Sequence, residues 1–451
     1  MVVGLLQASP SVGCIGDCDG NGVVTVDELV RAVNVALGLV QLNQCSTIDC
    51  DGNGHPGVDC LVQAVNAALS GCPPSPTPSM TATLTPAPTS VATESPTFTS
   101  TPTASASPAI TPATPTLTPT PLSLPLQPMR LILEGQPAAL LSISGTSAAD
   151  VYAVGADPQD GTGPYVLHYD GQNWHRLKTH STGSLWWISV TPIDGSFYMA
   201  GENGVVLRYQ PSTQTFTPLP SLGAATQLFG VWGTDANQIW AVGRALSNGP
   251  SSGVMWRFDG AKWTLDTGIA ALLSQSPLAF YKVWGRDAND LYVVGQQGDE
   301  QGLVFHFDGA VWTQSAVDLN GASPASSPLF TVHGNDTQVV AVGGFFSGLI
   351  LELQGASFAN VAPEETVQMN GVFIRPDGSG VAVGIAGALG FRGIAGWQYQ
   401  RLNITLDFHG AWVDPEGGVW AVGGDLTTAL NQGILAYGGV ETIGSNILVG
   451  N

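Results

Sequence analysis

The sequence predicts a multidomain chain with three unlike parts: a small α module built on paired acidic loops, a disordered Pro/Thr/Ser-rich linker, and an all-β array of seven four-stranded repeats. Three observations carry that prediction. All six cysteines fall between Cys14 and Cys72, in a stretch that repeats itself once. Fifteen of the 31 prolines fall between Pro73 and Pro128. Beyond them, a strand motif ending in glycine recurs seven times. The expected divisions are 1–13, 14–72, 73–128 and 129–451.

In the first part, GDCDGNGVVTVDELVRAVNVALG aligns with IDCDGNGHPGVDCLVQAVNAALS at an offset of 32 residues. Each copy is a loop followed by a short amphipathic helix. Leu29, Val33 and Leu37, and again Leu61, Val65 and Leu69, recur at helical spacing and are expected to pack the helices together. About 60 residues make a small core, so cross-links or metal must add stability. An even number of cysteines in so short a stretch points to disulfides and an oxidising compartment. Six cysteines allow 15 pairings, and the sequence does not choose among them.

The loops are acidic in a metal-binding pattern. Calcium takes six to eight hard oxygens, and the EF-hand loop supplies them from positions 1, 3, 5, 7, 9 and 12, with Gly at 6. Counted from Asp17, those positions are Asp17, Asp19, Asn21, the Val23 carbonyl, Thr25 and Glu28, with Gly22 at the turn. The alternative is an acidic turn that caps a helix. The second loop begins in the same way, with Asp49, Asp51, Asn53 and the His55 carbonyl. It then departs: position 9 is Gly57 and position 12 is Cys60, a soft thiol where calcium wants a bidentate carboxylate. The sequence leaves open whether this loop binds Ca2+ or whether a Cys60 disulfide replaces the metal clamp.

Between Pro73 and Pro128 the sole charged residue is Glu94, among Pro, Ser, Thr and Ala. Such a stretch cannot bury enough apolar surface to offset its ordering entropy, so it reads as a polyproline-biased spacer.

The third part carries the marker glycines 155, 201, 243, 295, 343, 384 and 423, spaced 39 to 52 residues apart. Each closes a strand such as DVYAVG, QIWAVG or DLYVVG. Most copies have an upstream strand (LFGVWG, FYKVWG), and several have two downstream strands joined by a YDG or FDG turn. Four strands per unit at a period in the forties mark a β-propeller. Seven copies predict seven blades, with six or eight left open. The last copy lacks a fourth strand after GILAYGG, and MRLILEG at 129–135 is expected to supply it and close the ring.

Composition bounds the function classes. Lys and Arg total 13 against 34 Asp and Glu, a formal net charge of −21. A nucleic-acid partner or an anionic membrane surface would need the opposite balance. No apolar run is long enough to span a membrane. Residues 1–13 are apolar in patches but lack a basic n-region, and read as the remnant of a secretory signal or a mis-set start.

The first part, on Asp17–Leu69, resembles dockerin-type modules, which pair two EF-hand-like calcium loop–helix units. The third is similar to the broad superfamily of kelch-, WD- and sialidase-repeat-like propellers, with AVGG turns followed by YDG…W as in kelch repeats. The first resemblance implies Ca2+ as cofactor and docking of 14–72 onto a cohesin-like or cell-surface protein. The second implies an architecture alone. Together they suggest a secreted, extracellular or cell-surface interaction protein whose propeller is non-catalytic and binds protein or polysaccharide. The alternative is an extracellular carbohydrate-active enzyme, a propeller glycosidase or lyase on the same tether.

Candidate catalytic residues in the repeats dissolve on alignment. His168 and His306 share a column with Arg208 and Arg257, and His333 stands where sister repeats have Trp232, Trp284 and Trp412. Asp235 and Asp287 recur in one turn and read as turn formers. GPSSG at 249–253 lacks the strand–turn–helix setting that a nucleophile elbow needs. Trp186 and Trp187 are less regular and are the aromatics expected to face a ligand. The two readings predict different funnels: paired acids with raised pKa for an enzyme, aromatics and polar groups for a binding module.

Overall fold

The computed structural model describes residues 14–18, 24–25, 28–29, 31–32, 35, 42, 45–50 and 57–70, then 123–449 apart from 247–251, 274–276, 299–300 and 322–326. It divides into two compact units, Met1–Ile110 and Thr111–Asn451.

In the first unit, described residues between 28 and 35 are helical, a 3₁₀ turn covers Ser46–Ile48, and an α-helix runs over Val58–Ser70. Ala32, Val35, Cys45, Ile48 and Ala64 form its core, with Leu29 and Leu61 packed against it. Val65, expected in that core, is exposed. The buried stripe is instead Cys60, Leu61 and Ala64, because Cys60 must face its disulfide partner Cys50. Val33, Leu37 and the Leu69 side chain lie outside the described residues. Gly16, at φ +91°, lets its loop touch the helix: a Cβ there would lie 2.6 Å from the Ala64 Cβ. Cys18 pairs with Cys45 and Cys50 with Cys60, Cys14 is also disulfide-bonded, and no described cysteine is free.

The second unit is a seven-bladed propeller. Its four-stranded antiparallel sheets span 140–177, 185–218, 226–266, 277–314, 329–360, 369–401 and 407–438. The last blade has three strands of its own, and Arg130–Gln136 adds the fourth, antiparallel to Asn431–Gly438. The closing strand is therefore the one the sequence points to. Leu133 anchors it, 2% exposed in the cluster that holds Trp174, Trp420 and Tyr437. Just ahead of it, Leu124 and Met129 are buried with Val381, Phe391 and Phe408.

Two further strands were not foreseen. Ile447–Val449 runs parallel along Trp174–Leu177 of blade 1, and Ala316–Asp318 runs parallel along Ser357–Asn360 of blade 5. Both cover edges that would otherwise present unpaired backbone groups. The seam between blades 7 and 1 is thus held twice, by the strand that begins the propeller and by its last described strand.

The turns behave as their residues require. Asp170, Asp259 and Asp308 each accept backbone N–H groups two and three residues ahead, and Asp235 and Asp287 hold Asn237 N–H and Asn289 N–H.

Candidate functional site

The inner wall of the propeller follows from one feature repeated in all seven blades. In each innermost strand the register with the second strand slips by one residue, a β-bulge that leaves one residue unpaired. The bulged residues are Leu141, Trp186, Phe229, Tyr281, Phe330, Asn370 and His409. The bulge also explains the marker glycines. A Cβ on any of the seven would lie 1.8–2.3 Å from a carbonyl oxygen at the start of the facing strand, such as Gln227 O for Gly243. Only glycine allows that approach.

Six of the bulged residues line a cavity of about 520 Å³ at the end of the ring where the innermost strands begin. Four form an aromatic arc. Trp186 meets Phe229 edge-on at 5.6 Å, Phe229 meets Tyr281 at 5.5 Å, and Tyr281 meets Phe330 at 5.5 Å. Phe345 extends the arc at 5.7 Å from Phe330, and its neighbour Phe346 is 85% exposed.

The opposite side is polar. Gln368 Nε2 donates to Asn370 Oδ1 at 2.8 Å, and Asn370 Nδ2 donates to Phe408 O at 2.8 Å. Asp407 Oδ1 accepts the Ala386 N–H at 2.8 Å. His409 Nδ1 bonds the Leu141 carbonyl, which requires the proton on Nδ1 and leaves Nε2 as an acceptor. Desolvation, then the nearby Lys282 charge, pushes His409 down to about 3, so the ring is neutral at pH 7.

One layer deeper stands Lys282, 4% exposed. Its column in the sister blades holds Ser142, Trp187, Gly230, Thr331, Gly371 and Gly410, none of them charged. Its Nζ donates to Phe229 O at 2.7 Å and lies 4.3 Å from the centre of the Trp187 ring. Burial pushes its pKa down to about 7.

Trp187 lines a second axial cavity, of about 260 Å³, with Trp232, Trp284, Trp412, His333 and Phe373. His333 accepts the Ile374 N–H at 3.1 Å, packs on Phe373 at 4.4 Å, and is pushed by burial to about 3. It is a satisfied packing histidine, as its column suggests. His168 and His306 bond Asp150 and Asp290 at 2.8 and 2.9 Å and stack on Tyr152 and Tyr292. They belong to the blades and not to the funnel. Ser251, the central residue of GPSSG, lies outside the described residues.

Of the expected calcium ligands, Asp17, Thr25, Glu28 and Asp49 are described, while Asp19, Asn21, Val23, Asp51, Asn53 and His55 lie outside the described residues. Asp17 and Glu28, at loop positions 1 and 12, are 5% and 4% exposed. Glu28 Oε1 accepts the Cys18 N–H at 2.9 Å, and Oε2 accepts the N–H and hydroxyl of Thr25 at 2.8 and 2.9 Å. The Thr25 N–H bond is the Glu28 half of a capping box at the helix start. Among the described residues no three His, Cys, Asp or Glu side chains converge.

The funnel residues were missed as a set. The signal was present: the column three residues before Trp232, Trp284, Trp412 and their equivalents reads Leu141, Trp186, Phe229, Tyr281, Phe330, Asn370 and His409, whereas the next column holds Gly in three of seven repeats.

No protein-family model matches the chain, and no curated protein matches it. Among solved structures it is similar to a streptogramin B lyase, at 12% identity and a TM-score of 0.51, with 68% of this chain and 97% of that one covered. It is also similar to the YCF48 protein of Cyanidioschyzon merolae, at 13% identity and a TM-score of 0.51, with 69% and 98% covered. At these identities the likeness is one of fold, and what the chain shares with both is the propeller.

Proposed function

We propose that the protein is a secreted recognition protein. Its propeller binds the end or a side group of a glycan or protein chain in the axial funnel, and its 14–72 module tethers it to a cohesin-like or cell-surface partner. The observation that carries this reading is the funnel lining: a continuous aromatic arc facing amides, with Asp407 the one carboxylate among the described lining residues. Aromatic faces with a few placed polar groups are what a binding pocket of this size uses. The enzyme alternative calls for paired carboxylates at the mouth.

The tether reading rests on the first loop. Asp17, Asp19, Asn21, Val23, Thr25 and Glu28 would hold calcium, with Asp49, Asp51, Asn53 and His55 as the partial second set. The donors fit a hard cation: two buried carboxylates stand at positions 1 and 12. Calcium would be structural, adding binding free energy to the folding of a small unit. Disulfides fit an oxidising, extracellular setting, and no helix among the described residues is long and apolar enough to cross a membrane.

The test is a glycan and peptide array probed with the full chain, its Trp186→Ala and Phe229→Ala variants, and with or without EDTA. Binding at the funnel predicts a loss of at least about tenfold in both variants and no response to EDTA. Retained binding in both variants removes the funnel from the reading. Affinity capture from cell-envelope extracts in calcium and in EDTA, with Asp17→Ala/Asp19→Ala as control, tests the tether separately.

A further inference from the structure

Lys282 is the feature that the recognition reading leaves unexplained. Burying an ammonium costs several kcal/mol unless an anion or a full set of acceptors compensates it. Here three protons meet one carbonyl, Phe229 O, and one π face, Trp187. No carboxylate pairs with Lys282 among the described residues. The charged or titratable groups around it do not supply one. His409 is neutral and tied to Leu141 O. Arg244 stacks on Phe229, 5.6 Å from its centre, and adds positive charge on that side. Asp407 lines the cavity on the blade 7 side with Oδ1 taken by the Ala386 N–H.

A second donor in the same cavity is also unmet. The Trp186 Nε1–H is buried and has no acceptor among the described residues. Two underused donors in one aromatic-lined space leave a place for an acceptor beyond the described residues.

We propose that the funnel takes a ligand with a compact oxyanion, a carboxylate or its equivalent, on a flat apolar body, and that Lys282 pairs with the oxyanion while the aromatic arc covers the body. The inference rests on the funnel being the recognition site and adds the charge of what it recognises. The oxyanion end is oriented toward blades 2–4, because Asp407 on the other side repels it. With burial holding the free amine near neutrality, an arriving anion also draws a proton onto Lys282. The chain's net charge of −21 makes the specificity sharper: anions are repelled at long range and are favoured at this one buried point.

The experiment uses the full chain and two probes of nearly the same shape: 1-anilinonaphthalene-8-sulfonate, an aromatic monoanion, and N-phenyl-1-naphthylamine, its neutral analogue. Affinities are measured at pH 6 for wild type, Lys282→Met, Lys282→Gln and Trp186→Ala, with circular dichroism checking each fold. The expected result is a preference of at least about tenfold for the anion in wild type, lost in both Lys282 variants while neutral-probe binding stays within about twofold. Trp186→Ala weakens both probes. Equal affinity for the two probes in wild type, or an equal change in both on removing the lysine, overturns the oxyanion while leaving the funnel reading intact. Binding of both probes unmoved by Trp186→Ala overturns both.

Discussion

The two units of this protein hold themselves together in opposite ways. The small unit has a core of a few side chains, Ala32, Val35, Ile48 and Ala64 among them, and depends on covalent links such as Cys18–Cys45 and Cys50–Cys60. The propeller has no cysteine and relies on apolar clusters repeated from blade to blade, with its ring completed by the strand at Arg130–Gln136 and backed by Ile447–Val449. A small chain that cannot bury enough surface needs cross-links, whereas a ring of sheets spreads the same task over many modest contacts. The difference also divides the proposed roles: the cross-linked unit attaches, and the ring presents a cavity.

The largest expected effect separates the units cleanly. Reduction together with EDTA should unfold the small unit, since losing a native disulfide from a domain this size costs about 2–5 kcal/mol. All twelve tryptophans lie in the propeller, so their fluorescence should stay native while helical circular dichroism is lost. A fluorescence change in step with the dichroism would mean that the ring is not independent.

Next comes the closure. Leu133→Ala removes the anchor of the strand at Arg130–Gln136 and should cost about 2–5 kcal/mol, read as a lower denaturation midpoint followed by tryptophan fluorescence. An unchanged midpoint would mean that the ring holds without its closing strand.

A smaller effect tests the bulges. Gly243→Ala puts a Cβ about 2.0 Å from Gln227 O and should cost about 1–3 kcal/mol while moving Phe229 in the funnel. Gly393→Ala, where a Cβ meets no atom within 4 Å and the backbone is not in the left-handed region, serves as the contrast. Equal costs would remove the steric account of the marker glycines.

The most gradual is a pH slope. Lys282 is depressed to about 7 when folded, against about 10.4 in an unfolded chain, so the unfolded state binds more protons between those values. Propeller stability should therefore rise with pH from about 7 toward 10, by up to about 1.4 kcal/mol per unit, and be flat with respect to this group below 7, where both states carry the proton. Lys282→Met should flatten that slope. A slope unchanged in the variant would assign it to other groups.

Much of the architecture was legible because repetition is a signal that survives without any alignment. Seven glycines mark seven bulges, and the missing fourth strand of the last repeat pointed to MRLILEG. The Asp turns and the packing role of His333 followed from their columns. What escaped depended on contacts between blades. Lys282 reads as one more polar residue in a strand until Phe229 O and the Trp187 ring are found around it. Val65 was assigned to the core by helical spacing, but the Cys50–Cys60 bond turns the buried stripe onto Ala64. The parallel strand Ile447–Val449 is too short to carry a period of its own.

The closing strand also sets a schedule. Arg130 pairs with Tyr437, about 300 residues later in the chain. At roughly 5–20 residues per second, synthesis separates the two by some tens of seconds. Through that interval the strand that opens the propeller has an unmet edge, and six blades can form in order while the seventh waits. The nascent chain must therefore carry an apolar strand, RLILEGQ, unpartnered until nearly everything else has been made. Whatever machinery handles this protein before it is finished meets that strand unpartnered.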